Sequence, residues 1–99
     1  MPDTGSPVVD NQAEGRFELE IDGHLAQLVY DLEGDRLTLI HTEVPKDLEG
    51  QGVGGRLVSA AVERSVRDRL TIVPVCPFAR GWLQRHPEVA ERTQITWPS

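Results

Sequence analysis

From Arg16 onward apolar and polar positions alternate. Phe17, Leu19 and Ile21 fall on one side, and Arg16, Glu18, Glu20 and Asp22 on the other, the two-residue period of a half-buried strand. Asp22-Gly23 then gives a strong hairpin-turn signal. A second strand is expected over His24 to Leu32, carrying Leu25, Ala26, Leu28, Val29 and Tyr30, with Glu33-Gly34-Asp35 as the next turn. A third runs from Arg36 to Val44. Strict alternation puts Leu37, Leu39, His41 and Glu43 on one face of it, and Thr38, Ile40, Thr42 and Val44 on the other. These three form an antiparallel meander.

Pro45 stops the third strand, Lys46 to Gln51 form a loop, and the period then changes. From about Gly52 to Arg69 the residues Leu57, Val58, Ala61, Val62 and Val66 make one helical stripe, opposite Arg56, Ser59, Glu63 and Arg67. Glu63 and Arg67 have the favourable i, i+4 order. Leu70 to Val75 reads as a buried strand which, following a helical crossover, should lie parallel to the third. A second helix is expected from Pro77 to just before Pro87, since proline is well tolerated at a first helical position. Ile95 to Trp97 is a candidate final strand. Residues 1–13, with two prolines and no sustained pattern, read as a flexible tail, leaving 14–99 as one domain. The order β-β-β-α-β-α is an α+β fold.

Composition narrows the class. Hydrophobic residues at 38% and charged residues at 26% fit one soluble globular domain. No apolar run reaches the ~20 residues of a membrane span. One cysteine rules out an internal disulfide and a multi-cysteine zinc site, so no metal is expected. With no secretory signal at Met1 to Pro7, the cytoplasm is the expected location. The net charge of −6 argues against nucleic acid and suits a cationic amine as a partner.

The densest chemical signal is Leu48-Glu49-Gly50-Gln51-Gly52-Val53-Gly54-Gly55-Arg56-Leu57, four glycines between a strand and a helix. Such a stretch can turn with φ > 0, and its amides, running into a helix N-terminus, attract an anion. A P-loop would need Lys-Ser/Thr where Arg56-Leu57 stand. A dinucleotide fingerprint is formally present as Gly50, Gly52 and Gly55. It lacks the acidic residue about 20 positions on, where Val75 and Cys76 stand. A coenzyme A pyrophosphate needs neither. The plain alternative is a glycine-rich connector with no ligand.

The loop resembles the acetyl-CoA pyrophosphate loop of GNAT-type N-acetyltransferases, whose pattern is Q/R-x-x-G-x-G/A. His41-Thr42-Glu43-Val44-Pro45, the loop, Val73-Pro74-Val75-Cys76-Pro77-Phe78 and Arg85-His86-Pro87-Glu88 together resemble a small single-domain branch of that superfamily, over about Phe17 to Glu88. The resemblance implies a GNAT-like mixed sheet that binds acetyl-CoA and transfers acetyl to an unidentified amine. Val44, Gln51, Gly52, Val53, Gly54, Gly55 and Arg56 would then bind cofactor, and CoA's pantetheine arm would lie between strands splaying apart near Val44 and Val75. Glu49 departs from the Gln or Arg usual at its position and is expected to face solvent. The alternative is a non-enzymatic CoA-binding or interaction module, since the tyrosine that many GNAT enzymes carry on the second helix is missing; the only tyrosine is Tyr30.

Three residues are candidates for the chemistry. Cys76 stands at the expected N-cap of the second helix, where the helix field favours a thiolate. It could take the acetyl group, relay a proton to departing CoA thiolate, or be a small inert hydrophobe. His41 could strip a proton from an ammonium, or only brace the strand end. Glu43 could be a base or an amine anchor, or simply solvated. Lys46, Arg80 and Arg85 are further cations near the loop. His86 in a last helical turn is explained by the helix dipole, and Trp82 by core packing or a pocket wall.

Overall fold

The computed structural model describes residues 7–98. Six strands form one sheet in sequence order: β1 (Val9–Asn11), β2 (Arg16–Ile21), β3 (His24–Glu33), β4 (Arg36–Glu43), β5 (Thr71–Pro74) and β6 (Gln94–Ile95). Strands β1 to β4 pair antiparallel; β4–β5 and β5–β6 are parallel. The parallel pairs need long crossovers, supplied by α1 (Val53–Asp68) and by α2 (Pro77–Arg85) with α3 (Pro87–Ala90). The expected α+β mixed sheet is thus present, with α3 in addition.

The turns follow from their residues. Asp22 and Gly23 both have positive φ, 52° and 80°, as a two-residue type I′ hairpin loop requires. Leu57, Val58, Ala61 and Val62 of α1 bury completely against Phe17, Leu19, Leu28, Leu37, Leu39 and Ile72 of the sheet. Helices α1, α2 and α3 contact one another and so form one layer. The other sheet face carries Glu20, Leu25, Ile40 and His41, all exposed, and among the described residues no helix lies against it.

Several expectations are corrected. Val9–Asn11 lies within the expected tail yet pairs with Arg16–Glu18. It is held through Asp10, which accepts hydrogen bonds from Tyr30 Oη at 2.6 Å and Arg64 Nη1 at 2.8 Å. Residues 1–6 of that tail lie outside the described residues. The α1 stripe is rotated: Arg64 and Ser65 are buried while Val66 is 40% exposed. Arg64 is accommodated because Asp10, Asp68 and Tyr30 Oη take its donors, and Ser65 Oγ donates to the Leu70 carbonyl. Glu63 pairs with Arg92, beyond α3, rather than with Arg67. The last strand is Gln94–Ile95, continued by Thr96 N–H donating to the Ile72 carbonyl, so it starts one residue earlier than expected.

A further correction concerns β4. Tyr30 pairs with Leu39 but Val29 pairs with His41, so Ile40 has no partner on β3. This one-residue bulge reverses the alternation beyond it. Thr42, opposite buried Leu28, turns toward the helices; His41 and Glu43, opposite Val29 and Gln27, turn to the open face. Leu37 and Leu39 therefore do not share a face with His41 and Glu43.

Candidate functional site

The parallel ladder between β4 and β5 runs from Arg36–Thr71 to Leu39–Pro74 and stops. Both Val75 N–H and Cys76 N–H donate to the Leu39 carbonyl, at 3.1 and 2.9 Å, and the chain turns into α2. Strand β4 continues through Ile40–Glu43 with no strand partner on its β5 side among the described residues. The bulge and the early end of β5 thus open a gap between the two strands.

The glycine stretch reaches this gap from the helix side. Gly50 and Gly52 have φ of 83° and 74°, in the left-handed region that glycine occupies without a steric penalty. Gly52 is the N-cap of α1, has no side-chain capping bond, and no acidic residue follows in the first turn. The first amides of an α-helix have no intrahelical partner, so this end presents uncapped donors and the positive end of the helix dipole. Gly54 and Gly55 are helical and serve a different need. A Cβ on Gly54 would lie 2.7 Å from Phe78 Cζ, and one on Gly55 2.5 Å from Trp82 Nε1. Two rings of α2 thus lie directly on the start of α1.

These elements enclose a cavity of about 480 Å³ lined by Thr42, Val44, Gly52–Gly55, Phe78 and Trp82, with Glu49 and Gly50 also on its wall. Of the sequence-derived binding residues it gathers Val44, Gly52, Val53, Gly54 and Gly55. Gln51 is exposed and its amide nitrogen donates to the Asp47 carbonyl. Arg56 lines a neighbouring cavity of about 420 Å³ with Val8, Ser59, Ala60, Glu63 and Trp82. Glu49 is exposed as expected, yet it also borders the first cavity.

The candidate catalytic residues divide between the two faces. Cys76 is the N-cap of α2, as expected, but is buried, with its Sγ 3.1 Å from Thr42 Oγ1. Hydroxyl and thiol can each donate, so the pair accommodates either a thiol or a thiolate. His41 Nε2 lies 3.1 Å from Glu43 Oε2 on the open face, and both side chains are 57% exposed. Glu43 also accepts from Gln27 Nε2 at 2.7 Å. Those contacts, Gln27 first and His41 second, hold its carboxyl below the usual range. Tyr30 cannot stand in for the missing tyrosine of α2: its hydroxyl is committed to Asp10 and Arg64, and burial, with the Asp10 contact, pushes its pKa up to about 12.

Thr42 was not among the residues selected from sequence, and no periodicity would have found it, since the Ile40 bulge alone turns it inward. Phe78 had a signal in hindsight: two adjacent helical glycines need a partner pressing on them. His86 stacks on Trp82 with ring centroids 3.9 Å apart and donates from Nδ1 to the Trp82 carbonyl, a positioning role for the cavity wall.

The family model for the GCN5-related N-acetyl-transferases matches residues 16–92, most of the chain. Among solved structures, a GCN5-like protein of Staphylococcus aureus determined by NMR superposes with a TM-score of 0.72. It is 25% identical, and the match covers 97% of this chain and 93% of that one.

Proposed function

Because this chain belongs to the GCN5-related N-acetyltransferase family, we propose that it is a cytoplasmic enzyme that binds acetyl-CoA at the start of α1 and transfers the acetyl group to an amine. The observation that carries this reading is the meeting of an uncapped helix N-terminus with the open edge of β4 in one cavity. The pyrophosphate sits on the amides of Gly52 to Gly55. The pantetheine arm runs past Val44 and Phe78 along the unpaired edge of Ile40–Glu43, and the thioester comes to rest near Thr42 and Cys76.

The Ile40 bulge gives the two substrates separate approaches. Cofactor groups lie on the helix side, while His41 and Glu43 face the other way. An amine arriving on the open face gives up its proton to His41, which Glu43 orients, directly or through a water. The neutral amine attacks the thioester carbonyl through the gap; a C–N bond forms, the C–S bond breaks, and the extra proton left on the nitrogen passes to solvent. Cys76 serves either as proton donor to the leaving CoA thiolate, taking its proton back from solvent, or as an acetyl carrier that receives the group first. The −6 net charge favours a cationic acceptor.

The test is acetyl-CoA consumption with and without a panel of amines, for the wild type, His41→Ala and Cys76→Ala. Amine-dependent turnover lost in Cys76→Ala or His41→Ala supports the reading. CoA binding without turnover for any amine would identify a non-enzymatic CoA-binding module instead.

A further inference from the structure

On the open face of the sheet, Glu18, Gln27 and Glu43 stand in one cross-strand row of β2, β3 and β4. Directly opposed side chains on one sheet face are close enough to interact, so Gln27 has a carboxylate on either side. Glu18 is already engaged: its Oε2 accepts from Arg16 Nε at 2.5 Å and from Asn11 Nδ2 at 3.1 Å. The Gln27 amide nitrogen instead donates to Glu43 Oε1 at 2.7 Å. Gln27 Oε1 is buried and has no hydrogen-bond partner among the described residues. Such buried acceptors are rare, because a hydrogen bond left unmade costs the desolvation of the group. Turning the amide over would be no remedy, since it would set that oxygen against the Glu43 carboxylate. The orphaned oxygen is the consequence of holding Glu43.

That hold decides how His41 is presented. With Oε1 taken by Gln27, Glu43 offers Oε2 to His41 Nε2, 3.1 Å away. The Gln27 bond first, and His41 second, lower the pKa of Glu43 and so keep it ionised. An ionised carboxylate only accepts hydrogen bonds, so the hydrogen between the two residues is on Nε2. A neutral imidazole carries one N–H, and the bond made by one ring nitrogen sets the state of the other. The lone pair is therefore on Nδ1. That nitrogen has no partner among the described residues, on a side chain that is 57% exposed.

We propose that Gln27 is a positioning residue for the reaction: acting through Glu43, it fixes His41 in the Nε2–H form, so that Nδ1 takes the proton from the acceptor ammonium. The imidazolium formed keeps its Nε2–H on Glu43 and releases the Nδ1 proton to solvent, which restores the same tautomer. The proposal rests on the reading of His41 as the base.

Gln27→Met keeps the length of the side chain and removes both the donor and the orphaned acceptor, so the protein should be no less stable. Nitrogen NMR of the histidine rings reads the tautomer without any ligand, and His41→Ala identifies the signal. The wild type should show His41 as Nε2–H alone, and Gln27→Met a mixture with Nδ1–H. In Gln27→Met kcat for amine acetylation should fall about fivefold with KM little changed, the worth of one hydrogen bond. The same substitution should cost nothing further in a Glu43→Ala background, as expected for a residue that acts only through Glu43. The proposal is overturned if wild-type His41 carries its hydrogen on Nδ1, or if Gln27→Met leaves the tautomer or kcat unchanged. It is also overturned if activity and stability fall together, the mark of a merely structural bond. Absence of turnover with any amine would overturn the reading of His41 as a base, and the tautomers would still decide whether Gln27 and Glu43 fix the ring.

Discussion

Gly54 and Gly55 matter for what touches them rather than for backbone angle. Trp82 is half-buried and braced by His86, whereas Phe78 is 40% exposed and can swing outward. Gly55→Ala should therefore destabilise by about 1–2 kcal/mol, overpacking at Trp82 outweighing the gain in helix propensity. Gly54→Ala should be close to neutral. Urea denaturation decides, and equal stabilisation by both would show that the α2 rings do not require these glycines. A second single-residue effect concerns Thr42. In the buried setting of Cys76 its hydroxyl is the side-chain partner able to donate to a thiolate. Thr42→Val should slow alkylation of Cys76 by iodoacetamide on the order of tenfold near neutral pH, and Thr42→Ser should restore it. Equal rates in all three proteins would remove Thr42 from the chemistry.

At the scale of elements, the strands with a clear two-residue period were legible, because each buries one face on the helices. What the pattern could not carry was any feature set by a distant partner. The Ile40 bulge shows only in the pairing with Val29 and Tyr30, and it moved His41 and Glu43 to the face opposite Leu39. Strand β1 is too short for a period and is fastened by Asp10 to Arg64, 54 positions away. That fastening has a pH signature. The phenol of Tyr30 is held neutral up to about 12 against an ordinary 10.0, by burial first and the Asp10 contact second. The folded state binds this proton more tightly than the unfolded chain. Its contribution is therefore complete below pH 10 and is lost as pH rises toward 12. Denaturation midpoints of the wild type should fall more steeply across that window than those of Tyr30→Phe. Parallel curves would mean that Tyr30 titrates alike in both states.

For the whole molecule, the sheet of six strands carries its helices on one face, and the β4–β5 ladder ends at Leu39–Pro74 beside the cavity at the start of α1. The glycine stretch before and into α1 stood out in the sequence, and its reading as a ligand loop is the proposal tested below. Its division into two turning glycines and two contact glycines was not, since that depends on where α2 packs. Nor was the burial of Cys76, which follows from the turn after Leu39–Pro74 and from packing beside Thr42. The central claim is that the uncapped start of α1 holds the CoA pyrophosphate. Asp22 shows that an aspartate adopts a left-handed turn in this chain, so Gly52→Asp should fold, with Gly52→Asn as its uncharged counterpart. The decisive measurement is calorimetric titration of CoA into the wild type and both variants. Gly52→Asp should weaken binding on the order of 2–4 kcal/mol, roughly 30- to 1,000-fold, and well beyond Gly52→Asn, because it places a carboxylate beside the phosphates. An unchanged CoA affinity in a folded Gly52→Asp protein would contradict the assignment of this loop.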